Sequence, residues 1–318
     1  MIFFTLNYKP ATIIGCRLFY FCCMSKLHRH LLLVFMLVTC ISRAQEVPGF
    51  EIYLLELQFP PYGNGLYSAP VNISQHIGYD NQPSFSPKGD QIIFTSMRDG
   101  QQTDIYRYTL VSKKLEQITF STTSEYSPMF DEDGKRFTVV RVEQDGAQRL
   151  WQIPVGKSKG KLLMRDVYDV GYYAPLQDNQ FACFILPEPF SLRIFNKREQ
   201  RPLVIDRNIG RSIQPVPSAP AFAYLVKTDS SSWTIKEYNY ETKKFTQITS
   251  IEPGPEDFCF NPNGMLYMAR GSSLYYFDYR RSRQWYFFAD LAAFGIADIY
   301  RIAFSPDGQH MAIVVAEQ

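Results

Sequence analysis

The sequence is poor in the side chains that most often carry chemistry. Four histidines and six cysteines stand among 318 residues, and beyond position 44 only His76, His310, Cys183 and Cys259 remain. Two histidines in separate segments cannot build a histidine-rich site for a divalent metal. The two cysteines fall in separate predicted strands and are read as small buried apolar side chains rather than a disulfide or a metal pair. No glycine-rich loop opens a helix, which leaves nucleotide binding at a helix N-terminus unsupported. Asp131-Glu132-Asp133 and Asp99 miss the spacing of a calcium loop and are read as turn residues. Gly156-Lys157-Ser158-Lys159-Gly160 has the glycine spacing of a hydrolase nucleophile turn, but no helix follows it and His310 is the one downstream histidine, so Ser158 is read as a hairpin tip. The expectation is a chain with no catalytic residue, no metal and no cofactor.

Net charge is low as well. The formal value is +2, yet residues 1–44 hold Lys9, Arg17, Lys26, Arg29 and Arg43 and no acid, so the remainder is mildly acidic. Such a balance gives no reason to expect nucleic acid as a partner. What the chain does have is apolar and aromatic material, 46% and 15% of its residues, enough for a large core and unlike a disordered composition.

Residues 1–44 read as a leader rather than as part of the fold. From Met24, the expected true start, a short basic region (Lys26, His28, Arg29, His30) precedes the apolar run 31–41 and then Ser42-Arg43-Ala44, which suits signal-peptidase cleavage after Ala44. The run is short for a membrane span, and a retained anchor is the alternative. Leu37-Val38-Thr39-Cys40 is an imperfect lipidation motif, with Thr39 the misfit. The expected location is periplasmic or secreted, with lipidation at Cys40 a weaker alternative and no stable membrane span.

A phrase recurs through residues 45–318. Phe85-Ser86-Pro87-Lys88-Gly89, Phe130-Asp131-Glu132-Asp133-Gly134, Phe260-Asn261-Pro262-Asn263-Gly264 and Phe304-Ser305-Pro306-Asp307-Gly308 repeat with a period of about 45 residues, and the gap between Gly134 and Gly264 holds about three such periods. Short strands fit each period. The first complete unit reads as strands at 83–86, 91–96, 104–110 and 115–120, with turns at Pro87-Lys88-Gly89, Arg98-Asp99-Gly100 and Ser112-Lys113-Lys114. Weakened copies fill the gap, with Asp178-Asn179 and Pro217-Ser218-Ala219-Pro220 standing where the glycine turn should be.

Counting these units predicts an all-β fold, a six-bladed β-propeller of four-stranded antiparallel blades. The last unit has only two strands, at 301–305 and 309–315. Glu51-Ile52-Tyr53 copies the register of Asp104-Ile105-Tyr106, and Pro70-Val71-Asn72-Ile73-Ser74 copies the fourth strand, so the N-terminal outer strands are expected to close the ring against the C-terminal inner ones.

These phrases resemble the TolB-like propeller repeat, a periplasmic relative of the WD-type repeats. The first unit carries nearly the whole pattern in Ser86-Pro87-Lys88-Gly89, Thr95-Ser96-Met97-Arg98-Asp99-Gly100, Asp104-Ile105-Tyr106 and Gln117-Ile118-Thr119. The resemblance implies a secreted propeller, usually non-enzymatic, that offers a face to another protein. The corresponding expectation is a non-catalytic binding scaffold of the bacterial cell envelope. A lactonase- or lyase-type propeller enzyme, or a module binding carbohydrate or lipid surfaces, is the alternative.

Topology sorts the loops onto two faces. The loops leading into each first strand share one face with the turns between second and third strands. The leading loops hold Asp80, Glu125, Asp169, Glu256, Asp257 and Asp298, with Tyr79, Tyr126, Tyr172, Tyr173 and Tyr300 beside them, and the second-to-third turns add Asp99, Glu143, Asp145, Glu188 and Asp229. The third-to-fourth turns hold Lys113, Lys114, Lys157, Lys159, Lys197, Arg198, Lys243, Lys244, Arg280, Arg281 and Arg283. One face is expected to be acidic and tyrosine-bearing, and to dock an envelope or periplasmic protein with a basic segment through Asp80, Glu125, Tyr126, Tyr172, Tyr173, Glu256, Asp257, Asp298, Tyr300 and Arg301. The basic face would meet anionic surfaces weakly.

Overall fold

A computed structural model describes residues 49–57, 68–157, 159–196, 202–278 and 280–317. The expectations for the leader, including Met24, Cys40 and Ala44, and those for Ser158, Lys197 and Arg198, lie outside the described residues.

The described chain is built of strands, with no α-helix among its residues. It opens with β1 (Phe50–Glu56) and β2 (Val71–Asn72). Four groups of four follow. They are β3 (Tyr79–Phe85), β4 (Gln91–Met97), β5 (Asp104–Thr109) and β6 (Lys114–Gln117); β7 (Glu125–Phe130), β8 (Arg136–Val142), β9 (Gln148–Pro154) and β10 (Lys161–Leu162); β11 (Val170–Pro175), β12 (Gln180–Ile185), β13 (Ser191–Asn196) and β14 (Leu203–Arg207); and β15 (Ile209–Pro215), β16 (Ala221–Val226), β17 (Trp233–Asn239) and β18 (Lys244–Ile251). Then come β19 (Phe258–Phe260), β20 (Leu266–Arg270), β21 (Ser273–Phe277) and β22 (Trp285–Asp290), and finally β23 (Ile299–Phe304) and β24 (His310–Ala316).

Each group folds as an antiparallel four-stranded sheet in chain order. The last two strands pair in the order β23-β24-β1, with β2 on the far side of β1, and a single parallel bridge between Phe50 and Tyr79 joins this set to β3. β1 runs antiparallel to β24, with Tyr53 opposite Ile313 and Glu56 opposite His310.

The strands differ in burial as their sequences demand. Second strands have largely buried apolar centres, as in Ala221–Val226, because sheets pack against both of their sides. Fourth strands carry Lys114, Lys161 and Lys244 in exposed positions, which blunts an edge against further pairing. The core is a series of apolar seams between successive sheets. One joins Val140, Leu150, Val170, Phe181 and Ile185, and another joins Leu225, Ile235, Phe258, Leu266 and Phe277. Cys183 and Cys259 are free and buried in different sheets, and burial pushes both thiols up.

The recurring phrase is a turn between first and second strands. Gly89, Gly134, Gly264 and Gly308 all have positive φ, between 65° and 80°, and each donates its N–H over 2.9 Å to the carbonyl three residues earlier. Glycine takes this conformation without the penalty a Cβ would bring. Where the glycine is missing, Asp178, Asn179 and Ser218 adopt the same left-handed region.

First strands lie side by side: β3 beside β7, β11 beside β15, β15 beside β19, β19 beside β23, and β23 beside β3. Most carry a register slip at their start or middle, between Asn81 and Ser84, Tyr126 and Met129, Val170 and Tyr172, Ile209 and Ile213, and Ile299 and Arg301. A bulge at this position turns consecutive side chains toward the axis.

Candidate functional site

The bulged first strands enclose a cavity of about 490 Å³. Its walls are Phe85, Met129, Ile213, Phe260, Ile302 and Phe304, with Pro83, Pro128, Pro217, Pro262 and Pro306 and the polar side chains of Gln82, Ser84, Ser127, Ser212, Gln214, Asn261 and Ser305. These residues come from the middle and the later half of each first strand and from the turns that follow. The cavity therefore opens among the Ser-Pro and Asn-Pro turns, away from the leading loops.

Its floor is a cluster of charge. Asp257 takes Arg211 Nε at 2.6 Å and pairs with Arg211 Nη2 on one oxygen, and takes Arg301 Nη1 at 3.3 Å on the other. Arg211 Nη1 donates to the Tyr300 hydroxyl and its guanidinium lies 4.0 Å from the Tyr300 ring centroid. Arg301 Nη2 donates to the Tyr172 hydroxyl at 3.1 Å. Burial raises the Tyr172 phenol, and burial with neighbouring Tyr172 raises Tyr79 well above its ordinary range, so both rings are neutral. Arg301 is held protonated: burial works against its charge, but Asp257 together with Tyr172 and Tyr79 keeps the guanidinium above its ordinary range.

The remaining predicted acids divide in two. Asp80 and Glu125 are fully buried. Glu125 accepts from Arg141 Nε at 3.0 Å. Asp80 lies 3.4 Å from His76 and 3.7 Å from Arg98, and burial raises its carboxyl above the usual range despite neighbouring Ser96 and Arg98. Glu256 is half-buried and bonded to Lys227 Nζ at 2.7 Å and to the Arg211 N–H. Asp169 and Asp298 are exposed, as are Asp99, Asp145, Glu188 and Asp229.

The uniform acidic surface expected from sequence is thus corrected: Asp80, Glu125 and Asp257 are drawn inward onto basic partners. Tyr173 is corrected too, because its hydroxyl donates to the Thr138 carbonyl at 2.6 Å inside an apolar seam. Tyr126 packs at the edge of that seam. Tyr172, Asp257, Tyr300 and Arg301 come together, and sequence reasoning missed Arg211 and Gln82, which complete the site. The only available signal for Arg211 was a cation interrupting an otherwise apolar or small first strand, Ile209-Gly210-Arg211-Ser212-Ile213. On the opposite face Lys113, Lys114, Lys157, Lys159, Lys243, Lys244, Arg280, Arg281 and Arg283 are exposed.

No family model matches this sequence, and no curated protein matches it. Solved structures do. A protein assigned as TolB from Agrobacterium tumefaciens superposes with a TM-score of 0.64 at 12% identity, over 85% of this chain and 99% of that one. The fold is that of a TolB-like β-propeller. The gluconolactonase XC5397 from Xanthomonas campestris matches the propeller with a TM-score of 0.59 at 9% identity, over 86% and 96% of the two chains. An oligogalacturonate lyase solved in complex with manganese matches with a TM-score of 0.53 at 13% identity, over 78% and 80%. These likenesses overturn the expectation of a chain without enzymatic activity, because the propeller is shared with a lyase and a lactonase as well as with TolB. Among the described residues, no three His, Cys, Asp or Glu side chains stand together as a metal-holding group, and no helix is long and apolar enough to cross a membrane.

Proposed function

We propose that the chain is a six-bladed propeller, closed where β1 lies against β24, and that it works as a protein-binding scaffold in the periplasm or outside the cell. The partner docks on the face of the leading loops. One observation carries this reading. Ile77, Phe120, Tyr168 and Phe294 are 87%, 67%, 45% and 47% exposed, and every one of them sits in a connection from a fourth strand to the next first strand. Apolar side chains held out on one face, among exposed Asp99, Asp145, Asp229 and Asp298, form the mixture of anchors and polar rim that protein interfaces use. The exposed acids favour a partner with a basic segment.

The test combines Ile77→Ser, Phe120→Ser, Tyr168→Ser and Phe294→Ser in one chain and compares it with the wild type in co-purification from envelope extract. Loss of the proteins held by the wild type, with an unchanged melting temperature, supports the reading. Full retention by this variant, together with loss in a Lys113→Glu, Lys157→Glu, Lys243→Glu variant of the opposite face, would sink it.

A further inference from the structure

The floor of the axial cavity holds one more positive charge than negative. Of its lining side chains, Arg211, Arg301 and Asp257 are the charged ones. Both guanidiniums share the single carboxylate, Tyr172 and Tyr300 meet them as hydroxyls, and the phenol of Tyr172 is neutral. Glu256, the next nearest acid in sequence, is satisfied by Lys227 and a backbone N–H. Arg211 and Arg301 have side chains only 6% and 13% exposed, so water does little to offset the surplus. Two polar groups of the lining also lack partners. Arg301 Nε and Ser127 Oγ are buried without a hydrogen bond, and Ser127 holds a left-handed backbone, φ 51°, at the bulge of β7 that turns it to the axis. Buried donors are rarely left unpaired unless a ligand or water completes them.

The carboxylates around the mouth do not answer this charge. Asp131 and Asp133 engage Arg136 at 3.1 and 3.3 Å, and Asp307 accepts from Ser305 Oγ at 2.5 Å, and none of them lines the cavity. Above the floor the wall turns apolar, with Phe85 of β3, Ile213 of β15, Phe260 of β19, and Ile302 and Phe304 of β23.

We propose that the axial cavity binds a small organic carboxylate, its head on Arg301 and Ser127 and its apolar body against the phenylalanine and proline wall. The mouth of this site opens at the other end of the axis from the docking face, and the proposal stands or falls independently of that face. A charged acceptor on a buried guanidinium is stronger than a neutral one, so the site should select for charge.

Isothermal calorimetry on the purified chain tests this with three matched probes: phenylacetate, phenylacetamide and phenethylamine. Phenylacetate should bind at least about tenfold more tightly than the amide, with no binding of the amine. Arg301→Gln should abolish the preference for the acid, and Ser84→Trp, which fills the cavity wall without touching the charged floor, should abolish binding of both. The acid-to-amide ratio of the wild type and the Ser84→Trp result decide the matter even if Arg301→Gln does not fold. Equal affinity for acid and amide overturns the proposal, as does absence of acid binding up to about 10 mM or undiminished binding in Ser84→Trp.

Discussion

The two ends of the first strands solve the same problem in opposite ways. At their beginnings, acidic residues are pulled into the sheet stack beside basic ones: Glu125 with Arg141, Glu256 with Lys227, Asp80 beside Arg98 and His76, and Asp257 between Arg211 and Arg301. At their ends, tight turns built on glycine and proline hold the walls apart, and the cavity opens there, above the Arg211, Asp257 and Arg301 cluster that floors it. The bulges sit between these regimes. Gln82 marks the boundary: with φ 60° it turns its amide so that Oε1 accepts from Thr95 Oγ1 at 2.8 Å and from the Ser127 N–H at 2.7 Å in the next sheet. Ion pairing therefore seals one end of the axis, while a single side-chain amide helps keep neighbouring sheets in step beside the opening.

The largest effect expected from breaking this contrast is at the floor. Asp257→Ala leaves two guanidiniums facing each other in a buried site and should cost about 3–5 kcal/mol, read as a lower urea midpoint at unchanged slope. Next comes the boundary. Gln82→Ala removes one acceptor from two buried donors, and a loss of about 1–3 kcal/mol is expected in the same measurement. A cost near zero would mean that the neighbouring sheets do not depend on this bridge.

A subtler change sharpens the description of the sealed end. The Asp80 carboxyl is pushed up by burial, so the folded chain holds its proton more tightly than the unfolded chain does. Its contribution is fully present at pH below the ordinary carboxylate range and is lost as pH rises through the folded value. Asp80→Asn lacks that loss. It should melt above the wild type at pH 7, with the gap shrinking toward about pH 4. A gap that is constant with pH would show that burial does not govern this group. The smallest effect belongs to the surface: Asp145→Asn with Asp298→Asn should leave the melting temperature unchanged while weakening retention of a basic partner in salt-dependent fashion.

The strands were largely legible in the sequence. Predicted 91–96 ends one residue short of β4, and predicted 309–315 is displaced by a single residue from β24. These are second strands, whose central apolar runs, Ile92-Ile93-Phe94 and Met311–Ala316, leave little ambiguity. First strands begin earlier than their sequence suggests: β3 starts at Tyr79 rather than Pro83, and β23 at Ile299 rather than Arg301. Asp80-Asn81-Gln82 and Gly210-Arg211-Ser212 do not alternate, because the bulge breaks the two-residue period there and the polar side chains meet partners in other sheets. The same break hid the site. Sorting loops by face located Tyr172, Asp257, Tyr300 and Arg301, but a count of charges by loop could not tell the buried Glu125 from the exposed Asp298. That distinction depends on Arg141, which stands opposite Glu125 only once β7 and β8 have paired.

The antiparallel match of Phe50–Glu56 with His310–Ala316 also sets the order of events during synthesis. Strand β1 leaves the ribosome well before β24, so its backbone donors and acceptors on that side wait until residues 310–316 have been made. Until then an apolar ribbon, Ile52 and Leu55 among its residues, is available to any passing edge. A nascent chain of this design has reason to be escorted, and halting its production shortly before Met311 would release a product with one sticky flank.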